Sequence, residues 1–403
     1  MAGGVSSDGE AAWIDTDVAL AAVINTLQSE PAYALDTEFV AEKSYWPRLC
    51  LVQLAWPGGV ALVDPLACDA NALGELLRGP SMMVTHAGSA DLPILERACG
   101  ARPTTLFDTQ VAAGFIGLGT PSLVSLVREL LGVQLDKSQQ LTDWSRRPLS
   151  ESARCYGAGD VDHLLALMKE LLARLASRGR EEWVADECEV VRMAPVRDVD
   201  PDTAWWRVKG GRNLHGEHAR IAQSVAAWRE RRAQEVDRPP RFVLGDLVLA
   251  GVTARPPSSL GELAALRGGE NLPKAVAEAV LGAVEAGRAM ARSELRVPPK
   301  FQDDAALDAA VGLLAAWTGQ VASGEGIDAR LLATRDDVRA LVNGRPSRLD
   351  GGWRAAIVGD RICDLLAGDS VLRLVDGGRR VQLEPAGISG SHGRDLTGKD
   401  GAS

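Results

Sequence analysis

The sequence is short of several residue types at once, and each shortage removes a class of function. Among 403 residues there are only five histidines and six cysteines. The cysteines (Cys50, Cys68, Cys99, Cys155, Cys188 and Cys363) form no CxxC pair, which argues against zinc ribbons and redox dithiols. They read as buried free thiols of a reducing compartment, so the expected location is the cytoplasm. His215 and His218 stand three apart with no further His or Cys nearby, so a zinc site is not expected. No uninterrupted apolar run reaches about 18 residues, and no membrane span is expected. The opening "MAGGVSSDGEAAWIDTD" has no basic stretch leading into an apolar one, so no signal peptide is expected. Positive charge is also scarce. The net charge of −10 argues against a chain coated with nucleic acid over its whole surface, while leaving room for a local basic patch. Aromatic residues make up 4%, yet ten of them are tryptophan.

What is present is an ordinary globular balance, 46% apolar and 24% charged. The length predicts two or three domains. Residues 17–29 read as an amphipathic helix. "YALDTEF" (33–39), "LCLVQLAW" (49–56) and "GVALVDP" (59–65) are strand-like, the last two joined by a Pro57-Gly58 turn, which predicts an antiparallel meander. "SMMVTHAGS" (81–89) and "TTLFD" (104–108) predict a fourth and a fifth strand, with helices between and after them. The pattern is that of an α/β domain with a mixed five-stranded sheet and flanking helices. Residues 121–132 and 150–177 are helical by period, the second with Ser150 as its N-cap. A Pro- and Asp-rich linker follows at about 194–203. From 204 onward the strand signals fade into short helices, with a break at "RVPPKFQDD" (296–304). The expected domains are 1–195, 204–292 and 296–375, followed by a Gly- and Ser-rich tail, 376–403, expected to be disordered.

Asp36 and Glu38 pose the sharpest problem. On a strand, residues two apart point to one side. Flanked by Ala34, Leu35 and Phe39, the two carboxylates repel each other and lose hydration. Clustered carboxylates are most simply stabilised by a divalent cation, and Mg²⁺ and Mn²⁺ prefer such oxygen ligands. "THAGSADLPIL" adds Asp91 just after the fourth strand. "ARCYGAGDVDHLL" adds Tyr156 and Asp160, four apart and so on one helix face. Gly157 and Gly159 lie between the two, and each costs about 1 kcal/mol in a helix interior relative to Ala, which predicts a close approach there. His86 is left out of the ligand set. Asp108 is expected to cap a helix, and Gln53 to make a hydrogen bond within the sheet.

"LDTEF", "HAGSADL" and "YGAGDVDHL" together resemble the three exonuclease motifs of the DEDD superfamily, in its tyrosine-bearing subgroup. With "SYWPRLCLVQLAW", "FDTQVAA" and "LDKSQQLTDWSRRPLS", residues 20–178 resemble bacterial ribonuclease D. Where the histidine subgroup carries its His, this sequence has Cys155. Alanines common between Tyr and Asp in relatives are partly replaced by glycine here. The resemblance implies an RNase H-like sheet and two-metal phosphodiester hydrolysis that releases nucleoside 5′-monophosphates. Asp36, Glu38 and Asp160 would hold one Mg²⁺ or Mn²⁺ ion, and Asp36 with a water-mediated Asp91 a second. Tyr156 would position the attacking water. Thr37, Phe39 and Lys137 are further candidates for substrate contact.

The span from Trp205 to Arg241 holds nine Lys or Arg and four acids, a local reversal of the overall charge. With Trp205 and Trp206, this suits phosphate contact and base stacking, and Arg229 and Arg232 are the candidate contacts. Trp228 is expected to be buried. The segment "AAWRERRAQEVDRPPRFVLGDLVL" resembles an HRDC domain, and "GWRAAIVGDRICDLLAG" a more divergent second copy. The fold class expected is therefore an α/β RNase H-like exonuclease domain followed by two all-α HRDC-like domains. The expected activity is a 3′–5′ exoribonuclease trimming structured RNA such as tRNA precursors, with no membrane and no stable protein partner. Nothing in the motifs reads a 2′-hydroxyl. The same chemistry on DNA therefore stays open, as does a catalytically inert nucleic-acid-binding protein.

Overall fold

The computed structural model describes residues 11–135, 142–196, 198–299 and 305–386. Lys137 and the tail beyond 386 lie outside the described residues. The first part of the chain runs β1 (Ala12–Ile14), α1 (Asp17–Gln28), β2 (Ala32–Val40), β3 (Arg48–Trp56), β4 (Gly59–Val63), α2 (Leu73–Arg78), β5 (Met82–Thr85), α3 (Asp91–Cys99) and β6 (Leu106–Asp108). The strands form one mixed sheet in the order β1-β4-β3-β2-β5-β6. β2, β3 and β4 are the expected antiparallel meander, and β5 and β6 continue parallel to β2. The sheet has six strands rather than five: the three residues of β1 pair parallel with β4, and a run that short carries no period to read.

Local chemistry explains the helix that opens the domain. The Thr16 side chain accepts from the Ala19 amide at the N-terminus of α1. Leu20, Val23, Ile24 and Leu27 then fall on one buried face. β3 is buried from Leu49 to Trp56, because its position inside the sheet leaves both faces covered.

The next elements are α4 (Thr109–Gly114), α5 (Leu123–Leu131), α6 (Glu151–Asp162), α7 (Leu164–Ala176) and α8 (Glu181–Met193). The single helix expected over 150–177 is broken at His163, which ends α6. Ser150 does cap α6, accepting from the Ala153 amide at 3.2 Å. Just upstream, Arg147 is a staple. Its Nε and Nη2 donate to the two Asp64 carboxylate oxygens at 2.7 Å, and Nη2 also donates to the Cys50 carbonyl at 2.6 Å. Asp64 is buried beyond β4, so this pair ties the chain entering α6 to the sheet. Arg147→Ala leaves a buried carboxylate without its partner and is expected to cost about 3 kcal/mol. Urea unfolding monitored by circular dichroism measures the loss.

Helices α9 (Gly216–Glu235), α10 (Pro240–Val243), α11 (Asp246–Ala254), α12 (Leu260–Ala264) and α13 (Lys274–Ala289) follow. They enclose a core of their own around Ile221, Val225, Leu249, Val252, Leu263 and Val280. α13 rests on α9 at Gly287, where a Cβ would stand 2.6 Å from the Ile221 Cα. Only glycine permits that approach.

The chain divides into two compact units. The first joins the sheet to α9–α13: residues 1–109, 123–170 and 185–301. The second takes residues 110–122, 171–184 and 302–403, a division that differs from the one expected at 195 and 296. It contains α14 (Asp308–Glu325), α15 (Ala329–Leu332), α16 (Arg335–Val342), α17 (Gly352–Arg354) and α18 (Asp360–Ala367). It also contains the hairpin β7 (Ser370–Val375) and β8 (Arg380–Pro385). Its centre is aromatic: Trp183 stacks on Trp353 at 5.4 Å, and Phe115 meets Trp353 edge-on at 5.0 Å. Arg180 donates to the carbonyls of Phe115 at 2.8 Å and Glu325 at 2.7 Å. These contacts bind the short early segments to the late helices. Residues 370–386 also depart from the helix expected to 375 and the disorder expected from 376, because the turn at Asp376-Gly377-Gly378 folds two strands together.

Candidate active site

β2 carries Asp36 and Glu38 on one side of the sheet, opposite Gln53 and Leu51 of β3. A register shift directly after Glu38 turns the strand there. Phe39 is half-buried and packs against the main core, so its contact in this structure is with protein. Gln53 is fully buried, and neither of its side-chain amide atoms has a hydrogen-bond partner. The hydrogen bond expected of it within the sheet is absent.

Asp91 is brought in by the loop between β5 and α3. Ala87 takes a left-handed φ of 61°, an uncommon conformation for a residue with a Cβ. The Asp108 carboxylate holds that turn, accepting from the amides of Ala87 at 3.0 Å and Gly88 at 2.9 Å. Asp108 thus braces the loop before α3, where the sequence suggested a helix cap. Its signal was an acid at the end of a short strand, with nothing local to say which amides it would meet. His86 is held at 2.9 Å by the Thr109 hydroxyl. Asp91 itself is buried at the first residue of α3 and accepts from the Thr37 hydroxyl. Thr37, expected to touch substrate, is committed to orienting Asp91.

α6 presents Tyr156 and Asp160. Gly157, between them, faces β3: a Cβ there would lie 3.1 Å from Leu51 Cδ2 and 3.6 Å from Gln53. That is the close approach the glycine implied. Gly159 has open space around it and no such packing reason. The Tyr156 ring lies 6.2 Å from Trp144, at the edge of a core cluster.

The electrostatics bind these pieces into one site. Burial, and then the charges of Asp91, Asp160 and Glu38, hold the Asp36 carboxyl well above the ordinary range. Burial, with Asp160 and Asp91, pushes Glu38 up to about 8. Burial raises Asp160 to about 7. Asp91 rises to about 6 through burial and Asp108, against the Thr37 hydrogen bond. Tyr156 is raised to about 12 by burial and by Asp160, Glu38 and Asp36. Like charges gathered around one carboxyl, as they are around Asp36, are destabilising unless something positive joins them. Among the described residues, no three His, Cys, Asp or Glu side chains stand ready to share a metal ion without adjustment. The donor set nonetheless fits a hard cation: carboxylate oxygens with an orphaned amide beside them.

The other sequence candidates lie apart from this cluster in their contacts. Arg229 pairs with Asp246 at 2.6 Å, and its side chain is largely buried. Arg232 pairs with Glu235 one turn along the same helix, at 2.7 Å. Trp205 is buried, and its indole N–H donates to the Arg296 carbonyl, as does that of Trp206. These indoles close a core rather than offer stacking faces. Trp228 packs partly buried, as expected.

The mixed sheet with its flanking helices, followed by a helical module, has the architecture of a 3′–5′ exonuclease domain joined to an HRDC domain. Residues 11–176 match a family model described as a 3′–5′ exonuclease, and residues 218–274 match the HRDC domain. Ribonuclease D of Gluconacetobacter diazotrophicus is 37% identical over 385 residues, spanning 93% of this chain and 96% of that one. Ribonuclease D of Escherichia coli is 33% identical, over 88% of this chain and 97% of that one. The crystal structure of Escherichia coli RNase D, an exoribonuclease involved in structured RNA processing, superposes with a TM-score of 0.79 over 89% of this chain and 99% of that one. The catalytic core of RRP6 from Trypanosoma brucei, 23% identical with a TM-score of 0.59, shares the fold over 71% of this chain and 81% of that one. The chain belongs to the ribonuclease D family of 3′–5′ exoribonucleases. No described helix is long and apolar enough to cross a membrane.

Proposed function

We propose that this chain trims the 3′ ends of structured RNA, such as tRNA precursors, by two-metal hydrolysis, and that it acts in the cytoplasm, where its six cysteines stay reduced. One observation carries the reading: on top of burial, the charges of Asp91, Asp160 and Glu38 raise Asp36, those of Asp160 and Asp91 raise Glu38, and no basic residue is among the causes of the shifts of the four acids. In this proposal Asp36, Glu38 and Asp160 hold one divalent cation, and Asp36 with Asp91 holds the second, Mg²⁺ or Mn²⁺. When bound, the pair supplies an activated water and charge compensation at the leaving 3′ oxygen. The residues of the chain do the rest. Thr37 fixes the Asp91 carboxylate. Tyr156, raised by burial and by the surrounding acids, keeps its phenolic proton at neutral pH and can donate it to orient the attacking water. The HRDC module at 204–292 and the segment 296–375 serve as accessory domains to the exonuclease domain 1–195.

RNA is favoured over DNA by the family to which the chain belongs. Side-by-side digestion of 3′-tailed RNA and the matching DNA, with Mg²⁺ or Mn²⁺, tests the preference. Faster stepwise shortening of the RNA by about tenfold or more is expected. Equal or faster loss of the DNA contradicts it.

A further inference from the structure

Residues 41–47 leave β2 directly beyond Glu38 and Phe39, and α3 begins with Asp91. Both elements wall a cleft of about 520 Å³ that also involves the helical module of the first unit. That volume is in the range of a small-molecule site. Tyr45, Trp46, Pro93 and Arg97 form one side, and Arg207 and Glu230 belong to the other.

The aromatic side is held in place before any ligand arrives. The Asp237 carboxylate accepts from the amides of both Tyr45 and Trp46 at 3.0 Å. The Tyr45 hydroxyl donates to Glu230 and accepts from Gln234 at 3.0 Å. The Arg97 guanidinium lies 3.7 Å from the centre of the Trp46 ring and pairs with Asp198. Arg207 is exposed, and among the described residues it has no acidic partner. Two rigid rings, proline surfaces and an unpaired guanidinium offer a face for a nucleobase and a charge for a phosphate. Fixing them in advance removes the ordering cost of binding.

We propose that this cleft is a second RNA subsite, which takes a nucleotide of the same strand upstream of the 3′-terminal residue at the acids. It rests on the exoribonuclease reading. None of the four acids lines the cleft, but it shares two elements with them: the chain leaving Glu38, and α3, which begins with Asp91. A strand whose 3′ end lies at the acids can therefore lay an earlier base against Tyr45 and Trp46, with its phosphate toward Arg207. The pinned "SYWPR" segment then has a task of its own: it measures whether RNA extends beyond the reacting nucleotide.

Trp46→Ala, Trp46→Phe and Arg207→Ala, in the full chain, test the proposal on two substrates: an oligoadenylate of about a dozen nucleotides and diadenylate. For Trp46→Ala and Arg207→Ala, kcat/KM on the longer RNA is expected to fall about tenfold, through KM. Diadenylate, too short to reach the cleft, is cleaved within about twofold of the unmodified rate, which also reports an intact fold. Trp46→Phe retains most of the activity on the longer RNA. Affinity for the labelled oligoadenylate, measured by fluorescence anisotropy in an Asp36→Asn background, falls in step. Unchanged kinetics and affinity on the longer RNA would overturn the subsite. So would equal losses on both substrates in the properly melting Trp46→Phe and Arg207→Ala proteins. If the unmodified chain degrades neither RNA, the exoribonuclease reading itself fails instead.

Discussion

Asp36→Asn and Asp160→Asn are each expected to slow RNA hydrolysis by roughly a thousandfold while leaving the fold intact. Both side chains are assigned to the same ion, so losing either removes a ligand from a site whose other members cannot compensate. The same substitutions are expected to act in the opposite direction on stability. In metal-free protein Asp36 sits among three other acids and is raised by all of them. Asn sits uncharged there without taking up a proton, so the cost of protonating the buried acid disappears, and the melting temperature in EDTA near neutral pH should rise by about 2 °C. A purely structural acid, held by a partner, would instead lower the melting temperature when replaced. Activity by single-turnover RNA digestion and stability by differential scanning calorimetry separate the two cases.

Chelation and pH should produce the second large effect. Glu38 and Asp160, raised to about 8 and about 7, keep protons in the folded metal-free protein that the unfolded chain has already lost. Where the folded state binds more protons, stability falls as pH rises. The metal-free protein should therefore lose stability between about pH 4 and about pH 8. Asp64, lowered by Arg147, and Asp337, held down to about 2 by Arg348 and Thr334, act in the opposite sense. They stabilise above the ordinary carboxylate range and are lost only in stronger acid. Added Mg²⁺ or Mn²⁺ must displace the retained protons, so it stabilises far more at about pH 8 than at about pH 5. At a hundredfold excess over Kd each site contributes about 2.7 kcal/mol. EDTA should reduce hydrolysis to background, and readdition of either ion should restore it. A melting temperature that ignores both pH and metal would contradict the assignment of these acids.

Much of this site is legible in the sequence because its signals are local. The period of two places Asp36 and Glu38 on one side of a strand, and the period of the helix does the same for Tyr156 and Asp160. What joins residues far apart is not legible. Arg147 and Asp64 are 83 positions apart, and no local pattern marks them as one ion pair. Asp108 looks like a helix cap until the left-handed Ala87 brings two amides to it. Trp205 and Trp206 suggest stacking platforms from composition alone, but whether an indole faces inward depends on tertiary packing. Arg229 and Arg232 look like free cations for the same reason: their acids, Asp246 and Glu235, are chosen by the fold. The hairpin at 370–385 did carry a signal. "VLRLV" and "RVQLE" alternate about an Asp-Gly-Gly turn, and the Gly-rich composition of the region obscured it. The second unit could not be read as a block because it is assembled from three separate segments of chain.

The most direct test follows a 5′-labelled RNA bearing a 3′ trailer, incubated with the unmodified chain or Asp160→Asn in Mn²⁺, with the products resolved at single-nucleotide steps. A ladder that shortens one residue at a time from the 3′ end, with nucleoside 5′-monophosphates released by the unmodified chain alone, is the predicted result. Internal fragments, shortening from the 5′ end, or an equally active Asp160→Asn protein would contradict the account.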